Sequence, residues 1–137
     1  MKLFLNLRKT LSLILWLIFL HSFLVGIGLL ILPGSLIKEL GFNIYPDNFF
    51  RYQGGVFHLV MSFAYAMGAY NTEKYFGLII LTLFAKLGAS IFLFLYYFVI
   101  DKILIVFLSG AGDFIMGIAV LYLVYRIRNL EILFHKK

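Results

Sequence analysis

Residues 10–32 read TLSLILWLIFLHSFLVGIGLLIL, an apolar run without a single Asp, Glu, Lys or Arg. A helix rises about 1.5 Å per residue, so roughly 20 apolar residues cross the hydrocarbon core of a bilayer. This run is long enough to do so, and Pro33-Gly34 stops any helix just beyond it. Lys2, Arg8 and Lys9 precede it as they would in a secretory signal. The apolar stretch exceeds a signal h-region, however, and no small-x-small cleavage site follows. It reads as a retained first membrane span.

The same reading extends along the chain. A second span is expected over residues 48–70, with Asp47 or Asn48 as N-cap. A third is expected over 72–100, capped by Thr72 with Glu73 in its first turn and holding one charge, Lys86. The fourth, 103–125, also holds one charge, Asp113. None of these runs alternates as a barrel strand does. The expected fold is all-α: a polytopic membrane protein whose 137 residues form one antiparallel bundle of four transmembrane helices. The links near 71–74 and 101–102 are short enough only for helical hairpins. In the longer first link, Ser35 to Leu40 is expected to form one interfacial helical turn.

Composition agrees. Hydrophobic residues make up 64% and charged residues 13%, against roughly 25% charged in a soluble domain. The absence of cysteine excludes disulfides, iron–sulfur clusters, thiolate zinc sites and cysteine nucleophiles. A net charge of +6 would suit a nucleic-acid partner, but eleven of the twelve Lys and Arg lie between the apolar runs or at the chain ends. Their partner is the lipid bilayer, and no nucleic acid is expected. With the N-terminus inside, the inner segments hold Lys2, Arg8, Lys9, Lys74, Arg126, Arg128, Lys136 and Lys137. The outer ones hold only Lys38, Arg51 and Lys102. Positive residues favour the cytoplasmic side, which predicts an inner (plasma) membrane protein with both termini cytoplasmic. The basic tail 126–137 is expected to rest on anionic headgroups. Tyr70, Tyr75, Tyr96, Tyr97, Tyr122 and Tyr125 fall near the expected interfaces and read as an aromatic belt.

One ionisable side chain falls at mid-depth in each span. His21 lies about 11 residues, and His58, Lys86 and Asp113 each about 13, from the inner end of its span, which puts all four roughly 16–20 Å deep. Residues at i and i+4 share a helix face, and three such stripes carry small and polar residues: Gly54–His58–Ser62–Ala66, Thr82–Lys86–Ser90 and Ser109–Asp113–Gly117. Helix interfaces in lipid prefer such residues. His21 lacks a stripe, its neighbours being Leu17 and Val25. A charge at the bilayer centre costs at least about 2.5–3.5 kcal/mol, so Lys86 and Asp113 are expected to meet. Two readings stand: a ligand or proton-relay site of Lys86, Asp113, His58 and His21, or an ion pair that only fixes helix packing. Arg51 and Gln53, at the outer end of the second span, read either as a contact for an anionic headgroup or as an anchor paired with Asp47. His21, His58 and Asp113 show no His-x-x-x-His or Glu-x-x-His spacing, and Lys86 at their level would repel a cation, so no metal is expected. No cofactor motif is present either; Gly26-x-Gly28 follows no strand and reads as close helix packing.

The start of the second span (Arg51-Tyr-Gln-Gly-Gly55), the lone lysine of the third (Ala85-Lys86-Leu-Gly88) and Gly112-Asp113-Phe in the fourth resemble the small four-helix bacterial membrane proteins grouped as DoxX-like or BphX-like. The resemblance covers nearly the whole chain in layout but only these short motifs in residues. It implies a four-helix membrane fold and, from some DoxX relatives, association with quinone-linked oxidation of sulfur compounds.

Three functions compete. The first is a non-enzymatic bundle that binds a lipophilic small molecule, quinone- or sterol-like, or that serves as subunit of a larger membrane complex or homo-oligomer. The second is a membrane enzyme or oxidoreductase subunit in which His58 or Asp113 moves protons on a lipophilic substrate. The third is a minimal proton-coupled transporter. No ordered nucleophile-and-base set is readable, which favours the first.

Overall fold

The computed structural model describes residues 2–42 and 48–135, with side chains over 4–42 and 48–132. Among these residues the chain is helical throughout: α1 (Lys2–Ile31), α2 (Gly34–Glu39), α3 (Phe49–Tyr70), α4 (Phe76–Leu95) extended by a π-helical turn (Tyr96–Ile100), and α5 (Leu104–His135). Three stretches, Phe4–Ile31, Phe76–Ile100 and Leu104–Ile132, are long and apolar enough to cross a membrane, as in a multi-pass membrane protein. The fourth expected span, α3, is not among them. Arg51, Gln53, His58 and the glycines at 54, 55 and 68 dilute its apolar residues.

Polar and apolar side chains are distributed inside out. Phe57, Phe84 and Ile115 are 68%, 71% and 68% exposed, whereas Lys86 and Asp113 are 3% and 5% exposed. Water would drive that arrangement the other way; lipid outside and protein inside account for it.

The most extensive contacts join α1 to α3 and α4 to α5, and the two pairs meet through α1–α5 and α3–α4. On α5 the buried positions Val106, Gly110, Asp113, Gly117, Val120, Val124 and Ile127 recur at an alternating spacing of four and three, with Leu123 buried beside them, which presents one seam to its neighbours. One apolar core gathers Leu11, Leu15 and Ile18 of α1, Tyr65 and Ala69 of α3, Ile79 of α4, and Val120 to Ile127 of α5.

Glycine sets the α1–α3 contact. A Cβ on Gly26 would lie 2.9 Å from the Gly55 carbonyl oxygen, and one on Gly55 would lie 3.0 Å from that of Gly26. The helices therefore cross backbone to backbone, as small residues permit in membrane interfaces. The crossing also turns α3 by one position from the expected stripe. Gly55, Ser62, Tyr65 and Ala69 are buried, while Gly54, His58 and Ala66 are only half-buried. A Cβ on Gly28, grouped with Gly26 in the sequence, would meet only Leu32, at 3.6 Å, just past the end of α1.

Element ends depart from expectation in several places. α1 begins at Lys2 rather than near residue 10. The expected interfacial turn is present as α2, and it stops at Gly41. That glycine has φ +96°, and its N–H donates to Lys38 while that of Phe42 donates to Ile37. These bonds and the positive φ make the Schellman ending that favours glycine. Thr72 does not cap α4. Asn71 instead accepts from the backbone N–H groups of Glu73 and Lys74 at 3.2 and 2.9 Å. Residues 72–75 become a turn and the helix starts at Phe76. Asn48 stands at the start of α3 without a side-chain cap bond; Asp47 lies outside the described residues. α5 continues unbroken to His135, through residues 126–135 of the basic tail.

The Gly26–Gly55 crossing predicts a stability contrast. Gly55→Val should destabilise the protein by about 1–3 kcal/mol through overpacking. Gly88→Ala, on α4 where nothing lies within 4 Å of a new Cβ, should stabilise it by roughly 0.5–1 kcal/mol. Thermal melting in detergent checks both, and equal melting temperatures for wild type and Gly55→Val would contradict the close crossing.

Candidate functional site

The chain commits a lysine to the middle of an otherwise apolar helix, and the structure supplies its counter-charge. Lys86 Nζ on α4 donates a hydrogen bond to Asp113 Oδ1 on α5 at 2.6 Å, with the two side chains 3% and 8% exposed. An aspartate is short, so the helices must be close for it to reach. Gly110 and Gly117, three and four residues either side of Asp113, allow this. A Cβ on Gly117 would lie 2.7 Å from Leu87 Cδ2 and 3.5 Å from Lys86 Cβ, and one on Gly110 would lie 3.2 Å from Leu93 Cβ. The sequence singled out Gly117 and Ser109 with Asp113. The structure buries Gly117 and Gly110 and leaves Ser109 half-buried.

A third residue completes this centre. The ring of Tyr65 on α3 lies 5.6 Å from Lys86 Nζ, and Tyr65 is itself buried. An aromatic face attracts a cation more strongly where water is excluded. Tyr65 stands outside the expected stripes, although it lies seven residues beyond His58 and three beyond Ser62. A heptad spacing applied to α3, in place of i+4 alone, marks it.

His58 sits beside this centre in a separate contact. Its Nδ1 lies 3.1 Å from Ser22 Oγ on α1, and which of the two donates is set by the histidine tautomer. His58 is thus brought to α1, not into hydrogen-bond contact with Lys86 or Asp113. Next to Ser22, His21 is half-buried, and its Nδ1 has no hydrogen-bond partner among the described residues. Ser62 and Thr82 are buried but donate to carbonyls of their own helices, Leu59 at 2.6 Å and Leu78 at 2.7 Å. Such back-bonding satisfies a hydroxyl without a neighbour. Ser90 is buried one turn beyond Lys86.

Arg51 and Gln53 do not join the centre. Gln53 is exposed. Arg51 donates to the Leu32 carbonyl at 3.2 Å and lies 4.8 Å from the Tyr52 ring. A guanidinium there meets the unsatisfied carbonyls and the negative end of α1. Its expected partner, Asp47, is outside the described residues.

A second polar cluster at the other end of the molecule had no part in the sequence-based site. Arg8 of α1 pairs with Glu73 at 2.9 Å and with Glu131 of α5 at 2.7 Å. In the sequence Arg8 counted only as a topology charge and Glu73 as a first-turn residue of the third span, and Glu131 lay within the basic tail. Their meeting depends on α1 starting early and α5 ending late, which the apolar runs do not reveal.

Among the described residues no group of three or more His, Asp and Glu is arranged to hold a metal ion. No family model, curated protein or solved structure matches the chain.

The geometry predicts an energetic signature for the Lys86–Asp113 contact. Lys86→Leu or Asp113→Leu alone strands a buried charge and should cost about 3–5 kcal/mol. The double substitution should recover much of that loss, as coupled partners do. Melting of the four proteins in detergent measures the coupling; strictly additive losses would mean that the charges act independently.

Proposed function

We propose that the protein is a four-span antiparallel helix bundle of the inner (plasma) membrane, with both termini cytoplasmic, whose buried polar midplane binds a lipophilic small molecule with a polar head. It does so alone or as a subunit of a larger membrane assembly. Counting α3 as the fourth span is supported by its position between α1 and α4 and by its outer face, where Val56, Phe57, Val60, Phe63 and Met67 are exposed. Its diluted apolar character comes from Arg51 and Gln53 at one end and from His58 and the glycines at 54, 55 and 68 along its length. The orientation follows the eight-to-three excess of basic residues. The layout resemblance to DoxX-like proteins belongs to the same proposal.

The observation that carries the ligand reading is the pairing of polar groups at the level of Lys86. Lys86–Asp113 is overall neutral and tightly closed, and Ser22–His58 is an uncharged hydrogen bond that can be exchanged for one to a ligand. His21 Nδ1 is a further buried polar atom still without a partner. A carbonyl or hydroxyl on a quinone- or sterol-like molecule matches these groups, and the surrounding aromatic residues match its apolar body. A second reading, proton transfer to a lipophilic substrate, draws on the same contact, because histidine is the side chain that exchanges protons most readily near neutral pH.

Two measurements test the proposal. Reporter fusions after Lys74 and after Lys137 should read cytoplasmic, and fusions after Lys38 or Lys102 external. A cytoplasmic signal after Lys38 would overturn the four-span topology.

His58→Gln keeps a hydrogen-bonding side chain but removes the exchangeable ring proton. It should leave the melting temperature in detergent nearly unchanged and weaken binding of a short-chain ubiquinone by roughly tenfold, the worth of one buried hydrogen bond. Unchanged binding together with lost stability would reduce His58 to a packing residue. Unchanged binding together with lost turnover would favour the proton-transfer reading.

A further inference from the structure

Where the start of α1, the 71–75 link and the late turns of α5 converge, the surface opens into a cleft of about 350 Å³. Its polar wall is Arg8, Glu73, Arg128 and Glu131, and its floor is apolar, including Leu11, Phe76 and Val124. Arg8 bridges the two glutamates, but among the described residues each carboxylate is engaged only through Oε1. Arg128 lies 4.9 Å from the Phe76 ring and makes no ion pair among the described residues. The cleft thus presents one cation free to take an anion and two carboxylate oxygens free to accept from a cation. The four charges cancel, in a chain whose formal net charge is +6.

This pattern selects among ligands. A purely anionic group would satisfy Arg128 but face Glu73 and Glu131. A quaternary ammonium would be attracted by the glutamates but has no N–H to donate. A phosphate joined by a short linker to a primary ammonium satisfies both sides, since guanidinium binds phosphate in a bidentate fork and an ammonium donates up to three hydrogen bonds. Arg128 and Glu131, three residues apart on α5, lie on neighbouring positions of one helix face, which suits a two-carbon linker. The apolar floor then receives the glycerol and the first methylenes of an acyl chain.

We propose that this cleft binds the headgroup of a phospholipid of the ethanolamine class, with the phosphate on Arg128 and the ammonium on the Glu73 and Glu131 carboxylate oxygens that Arg8 leaves unengaged. The proposal rests on the four-span reading for the level of the cleft, at the cytoplasmic headgroup layer. Its test varies only cleft residues and lipid headgroups, leaving His58, Lys86, Asp113 and the topology reporters untouched, so either reading can fail alone.

The experiment is native mass spectrometry of the full chain in detergent, titrated separately with palmitoyl-oleoyl phosphatidylethanolamine, phosphatidylcholine and phosphatidylglycerol. The ethanolamine lipid should bind about tenfold more tightly than the other two, and Arg128→Gln and Glu131→Gln should each weaken it by a similar factor, as loss of a charged hydrogen bond requires. Equal retention of the three lipids, preference for the glycerol lipid, or ethanolamine-lipid binding unchanged in folded Arg128→Gln would overturn the proposal. Should Glu131→Gln unfold by losing the Arg8 contact, the headgroup comparison on the unaltered chain still decides.

Discussion

Two opposite charges placed on separate apolar helices constrain the molecule, because neither Lys86 nor Asp113 has another ion-pair partner among the described residues. Taking each out of water costs several kcal/mol, and only close contact with a hydrogen bond returns that energy. The 2.6 Å contact therefore fixes both the rotation and the axial register of α4 against α5. A slide of one residue along either axis would displace the two groups by about 1.5 Å, and a rotation by one residue would turn one charge toward the outer surface. The glycines at 110 and 117 follow from the same requirement. Larger residues there would hold α5 away from Leu87 and Leu93, beyond the reach of an aspartate.

The other helix pair is organised without charge. Gly26 and Gly55 bring α1 and α3 into backbone contact, and close packing gains dispersion energy that lipid tails do not match. Two of the polar groups on this side are satisfied by short contacts, Ser22 with His58 and Ser62 with its own helix, while His21 Nδ1 has no partner among the described residues. Tyr65 belongs to both halves, since it lies in the apolar core shared with α1 and α5 and presents its ring to Lys86. At the far end Arg8 joins the start of α1 to the link before α4 and to the end of α5. These polar contacts lie at different levels of the molecule, with apolar core between the Lys86 layer and the Arg8 layer.

The helical class and three of the apolar spans were legible because length and hydrophobicity alone determine them. The Lys86–Asp113 contact was legible for a similar reason: two lone charges in lipid leave one solution. The features that were not legible depend on how helices meet. An i+4 stripe placed Gly54 and Ala66 on the buried face of α3, but the crossing at Gly55 turns the helix by one position, and the heptad spacing then brings in Tyr65. Thr72 looked like an N-cap by residue type, yet Asn71, one position earlier, forms the turn and frees Glu73 to reach Arg8. The joint Arg8 cluster was hidden because charged residues outside apolar runs carry topology information in a sequence and no spatial information.

On the proposed reading, the division of the midplane into one closed ion pair and one exchangeable hydrogen bond bears on what such a site can accept. A cation or proton delivered to the Lys86–Asp113 centre would have to break a buried contact and leave net charge in a medium that penalises it. A neutral polar head needs only to replace Ser22 at His58, or to accept from His21, with no change in the net charge of the core. Both exchanges lie on the α1–α3 side, where the Gly26–Gly55 backbone contact and the Ser12–Ala69 hydrogen bond join the helices independently of Ser22 and His58. A ligand can therefore take a hydrogen bond there without dissolving the interface. On the proposed reading this ranks a neutral lipophilic molecule above a transported ion as the partner of the midplane.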